Sequence, residues 1–115
     1  MLPNAARELV AQLLTKTRQG RVEWHDGIGD AVFVAFPAQS VHLRRLTRFT
    51  EDAGGEERGE RLITLTLFDE RGKELATFAG GPVDKELWEL FELATRKAYR
   101  VDDVLRDLTK AVAAI

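Results

Sequence analysis

The sequence predicts an α+β fold: an N-terminal helix, a four-stranded, mainly antiparallel sheet, and two C-terminal helices packed on one face of that sheet. Three observations support this. Apolar residues recur at three- and four-residue steps near both ends of the chain, the period of a helix buried on one side. Between residues 31 and 81 the pattern shifts to short β-rich runs with alternating faces. The strand runs stand together between helical runs instead of interleaving with them, which separates α+β from doubly wound topologies.

In the first helix, Ala6, Leu9, Val10, Leu13, Leu14 and Thr17 form one face behind Asn4, a residue suited to the N-cap. Gly20 marks its end, and Lys16 and Arg18 lie where the helix dipole favours cations. The run "AVFVAFPAQSVHLRRLTRF" reads as two strands, Ala31 to Phe36 and Val41 to Thr50, divided by Pro37, which has no N–H for a sheet ladder. "RLITLTLFDERGKELATFAGG" gives a second hairpin, with Ile63, Leu65 and Leu67 on one face and Gly72 in its turn. Between the hairpins, Glu51 to Glu60 has Ala53 as its one apolar residue, and its glycines and like charges predict a solvated, mobile loop.

After Gly80, Gly81 and Pro82, the residues Leu87, Phe91, Ala94, Ala98, Val101, Leu105, Leu108, Val112 and Ile115 keep one helical phase. A single helix over that stretch would be roughly 50 Å long, against a diameter of about 27 Å for a compact domain this size. A break at Asp102 or Asp103 is therefore expected, giving helices from Val83 to about Tyr99 and from Asp102 to Ala114.

Length and composition narrow the functional classes. A chain of 115 residues with 44% hydrophobic and 31% charged side chains makes one domain, residues 1–115, with one core. The absence of cysteine removes disulfides, thiol catalysis and thiolate-bound metals. A net charge of -2 supplies no global attraction to nucleic acid or anionic lipid, so any basic patch must be local. No apolar run reaches the roughly 20 residues of a membrane span, and residues 1–20 lack the pattern of a secretory signal, so a cytoplasmic address with no membrane contact is expected.

"RVEWHDGIGD", Arg21 to Asp30, gathers a tryptophan, a histidine and two aspartates. Adjacent His25 and Asp26 point to opposite faces of an extended chain, which is the wrong spacing for a catalytic pair, and the run lacks the alternate oxygen ligands of a calcium loop. Val22 and Trp24 alternate with Glu23 and His25, so the expected role is a strand with its apolar side in the core. In "VHLRRLTRF", strand geometry puts His42, Arg44, Leu46 and Arg48 on one face and Arg45 on the other. That row suits phosphates, but the strand supplies no aromatic stacking platform of its own. "AGGP" at Ala79 to Pro82 lacks the lysine and hydroxyl of a phosphate loop, and Ser40 lacks a nucleophile elbow.

The succession "GRVEW", "LFDERGKEL" and "LATRKAYRVDDVLRDL" resembles small uncharacterised bacterial α+β proteins built as a helix, an antiparallel meander and paired C-terminal helices. The resemblance implies that element order and brings no activity with it.

The leading functional expectation is a non-enzymatic protein-protein interaction or adaptor module, with self-association as a homodimer its simplest form. Its interface would use Trp88, Tyr99, Leu105, Leu108, Val112 and Ile115, because the C-terminal apolar seam exceeds what one small sheet face needs. The alternative is a nucleic-acid or anion-binding module using His42, Arg44, Arg45 and Arg48. A third class, an enzyme, would need a pocket where His25 meets side chains distant in sequence. No catalytic set, metal set or cofactor is expected.

Overall fold

The elements run α1 (Asn4–Arg18), β1 (His25–Asp26), β2 (Ala31–Ala35), β3 (Gln39–Glu51), β4 (Glu57–Asp69), β5 (Glu74–Gly80), α2 (Lys85–Ala98) and α3 (Val101–Ala113), in a computed structural model that describes all 115 residues. The strands lie in sequence order, each antiparallel to the next, so the sheet is a plain meander and the fold is α+β. Five strands replace the expected four. The additional one, β1, pairs His25 with Phe33 and Asp26 with Val32, and the Gly27 N–H donates to the Ala31 carbonyl at 3.0 Å. The strand expected over Val22 to His25 is thus displaced: Val22, Glu23 and Trp24 lie outside the ladder, and only His25 joins it.

The expected loop from Glu51 to Glu60 is also corrected. Strands β3 and β4 pair over 13 residues each, and Arg48, Phe49, Thr50 and Glu51 lie opposite Glu60, Gly59, Arg58 and Glu57. The Asp52 Oδ1 accepts the N–H groups of Gly54 and Glu56, each at 2.9 Å, and Gly55 takes φ +79°, a conformation that favours glycine. Arg48 then reaches Glu60 at 2.6 Å and Arg58 reaches Asp52 at 3.4 Å. The hairpin thus pairs Asp52, Arg58 and Glu60 from the charged run, while Glu51 and Glu57 stay opposite each other and exposed.

The core lies between the sheet and two helices. From α1 come Val10, Leu13 and Leu14, from α2 Leu87, Leu90 and Phe91, and from the sheet Val32, Val34, Val41, Leu43, Ile63 and Leu65. Trp24 is only 4% exposed and closes one end of this core. Its indole N–H donates to the Thr17 hydroxyl at 3.0 Å, and that hydroxyl donates to the Leu13 carbonyl at 2.6 Å, so the polar tip of the ring is satisfied while its body is buried. Gly80 lies directly against α2, and a Cβ there would run into Leu87.

The C-terminal helices break as expected but do not both cover the sheet. Arg100, at φ 54° and ψ 43°, ends α2 in the left-handed region, and Asp102 and Asp103 fall in the first turn of α3 instead of capping it. Only α2 packs on the sheet. The turn at Arg100 redirects the axis, so α3 buries no residue and packs chiefly against α2. The chain measures 57 × 40 × 24 Å with a radius of gyration of 16.7 Å, against about 13 Å for a compact domain of this length. The projecting α3 and the long β3–β4 arm account for the excess. No helix is long and apolar enough to cross a membrane.

Candidate functional site

Alternation along the strands gives the sheet two different faces. One carries the core. The other has no helix over it, and in register across it lie His25, Phe33, His42, Thr66 and Thr77, one from each strand. Both histidines of the chain are thus in one row, with Phe33 between them.

The rings of this row touch. Centroids of His25 and Phe33 are 5.3 Å apart, those of Phe33 and His42 are 5.0 Å apart with planes within 15°, and the Phe68 ring meets His42 edge-on at 4.5 Å. Burial against these neighbours lowers the His42 pKa from its ordinary 6.5, and the Arg44 guanidinium lowers it further. Beside the rings the Thr66 and Thr77 hydroxyls share a hydrogen bond at 3.1 Å.

The orientation of the rings decides what this face can do. Phe33 and His42, stacked across neighbouring strands, turn their flat sides toward one another along the sheet and present edges to solvent, while His25 is tilted by 32° and Phe68 stands across His42 at 62°. A nucleobase needs a free flat ring to stack on, whereas an apolar side chain packs readily against ring edges. The surface is a strip of half-buried rings, Phe33, His42 and Phe68, beside Thr66 and Thr77, bordered by Arg44.

The residues expected to bind anions do not converge. His42 and Arg44 share the open face, and Arg44 is exposed and enters no ion pair. Arg48 lies out on the arm, bound to Glu60. Arg45 is on the helix side, where its Nε donates to Asp30 at 2.7 Å and its guanidinium lies 5.6 Å from the centre of the Phe91 ring.

A cleft lined by Arg21, Glu23, Trp24, His25, Asp26, Lys97 and Arg100 opens at the edge of β1. Its basic and acidic groups intermix, and it holds no serine or second histidine to form a catalytic set with His25. Tyr99 stands close to its acidic side. Partial burial raises the Tyr99 pKa, and the neighbouring carboxylates of Asp26 and Asp30 raise it further.

The expected interface residues divide into two groups. Trp88 belongs to the edge of the core: it is half-buried, and its indole N–H donates to the Gly81 carbonyl at 2.8 Å. Leu105, Leu108 and Val112 on α3 are 53%, 56% and 67% exposed, and Ile115 beyond its end is fully exposed. Val104, on the same stripe and half exposed, was missing from the sequence-derived set although its helical phase includes it. Phe33 and Phe68 were also missed. Each alternates out of phase with its buried neighbours, but only the register brings them beside His42.

Comparison with known proteins finds no family model, curated protein or solved structure that matches the chain.

Proposed function

We propose that this protein is a non-enzymatic interaction module that self-associates through α3. The carrying observation is that α3 holds the most strongly amphipathic stripe of the three helices and buries none of it within the chain. An isolated 13-residue helix is marginal in water, so most of its stability must come from packing an apolar face. Leucines and valines left more than half exposed in a row are the expected signature of a surface that is covered on association.

Catalysis has less support, because the cleft beside His25 mixes basic and acidic side chains and holds no serine or second histidine. Anion binding also has less support, since Arg45 and Arg48 are already engaged by carboxylates. A cytoplasmic location fits a chain without cysteine and is part of the same proposal.

Sedimentation velocity over a concentration series tests the reading. The full chain should sediment as a dimer at micromolar concentration, and a chain truncated after Tyr99 should sediment as a monomer with an unchanged fold. A full chain that stays monomeric throughout the series would overturn it.

A further inference from the structure

Two surfaces of this chain lack a cover: the apolar stripe of α3 and the open face of the sheet. We infer that they cover each other between two copies, α3 of each lying across the rings of Phe33, His42 and Phe68 on the other. This deepens the self-association reading and rests on it.

Area favours the exchange over simple helix pairing. A 13-residue helix is about 20 Å long and about 10 Å wide, so laid against its own copy it offers one narrow strip per partner. A standard stable interface buries about 800 Å² per partner. In the exchanged arrangement each copy contributes both its α3 stripe and its sheet face, which roughly doubles the contact. Shape agrees, because the row of rings gives a strip against which Leu105, Leu108 and Val112 can pack. The charges at the borders are complementary. Asp107 flanks the α3 stripe and Arg44 flanks the ring row, and neither has an ion-pair partner within its own chain. The left-handed Arg100 is the only bend between α2 and α3 and holds α3 away from the sheet of its own copy.

The chain has no cysteine, so single cysteines can report which surfaces meet. Full-length Leu108→Cys and Thr66→Cys variants would be mixed, oxidised and run on a non-reducing gel. The mixed disulfide should form at least tenfold faster than either variant cross-links to itself, and Asp107→Arg should slow it until Arg44→Asp is added on the other copy. Self-cross-linking of Leu108→Cys as fast as the mixture would mean that α3 pairs with α3, overturning the inference while self-association stands. A concentration-independent disulfide within one chain carrying both substitutions would place α3 on its own sheet and also overturn it. A monomeric full chain in sedimentation would remove the self-association reading itself.

Discussion

Helices α2 and α3 share one apolar phase in sequence, yet they meet opposite fates. In α2, Leu87, Leu90, Phe91 and Ala94 are buried against the sheet and α1; in α3, Val104, Leu105, Leu108 and Val112 remain in solvent. Composition does not separate them, because both carry leucine and valine or phenylalanine on one side and charge on the other. What separates them is Arg100, whose left-handed backbone turns the second helix off the line that leads over the sheet. Amphipathicity therefore states that a helix needs a cover, and says nothing about which surface supplies it.

The contrast is open to mutation. The largest effect is expected at Leu90, which is fully buried: Leu90→Ala should cost about 2–5 kcal/mol in urea unfolding, since both transfer energy and a cavity are lost. A cost below 1 kcal/mol would break the comparison from the side of α2. Next comes the polar link that anchors Trp24. Thr17→Val removes the acceptor of a buried indole N–H and should cost about 1–3 kcal/mol, while the tryptophan fluorescence stays that of a buried ring. A matching Leu108→Ala change in α3 should alter the unfolding free energy by no more than about 0.5 kcal/mol at concentrations where the chain is monomeric, and should weaken dimerisation at higher ones. Equal losses at Leu90 and Leu108 in the monomer would mean that α3 is packed within its own chain.

The smallest effect concerns pH. Because the folded chain holds the His42 pKa below 6.5, the unfolded chain takes up that proton first on acidification. The corresponding stability is full above pH 6.5 and declines as the pH falls from there through the lowered folded-state pKa. The urea midpoint should therefore drop across that window, and His42→Gln should lack this component. A midpoint that rises on acidification, and does so only when His42 is present, would contradict the buried placement of this ring.

Elements whose period survives over several turns or strands were legible from the chain. The first helix, the β2–β3 and β4–β5 hairpins and the helical break near residue 100 all follow from local spacing and from the conformational limits of glycine and proline. The arm at residues 51–60 was misread because its stability comes from cross-strand pairs such as Arg48–Glu60, which bring together residues twelve apart. The strand read from the alternation of Val22 to His25 forms only at its end, as His25–Asp26, because Trp24 is placed by its burial and its bond to Thr17 and not by a sheet ladder. The ring row was half legible: the outward phase of His42 could be read from β3, but its contact with His25, Phe33 and Phe68 depends on the register of three strand pairs.

By itself the sequence determined that this chain folds as α+β, that Trp24 faces inward, and that its last helix is amphipathic, because each is a matter of spacing along a backbone with fixed periods. Only the tertiary structure decided which apolar surfaces are left uncovered. That outcome depends on where the chain turns in space, as at Arg100, and on how strands align, and neither is contained in a local pattern of oily and polar residues.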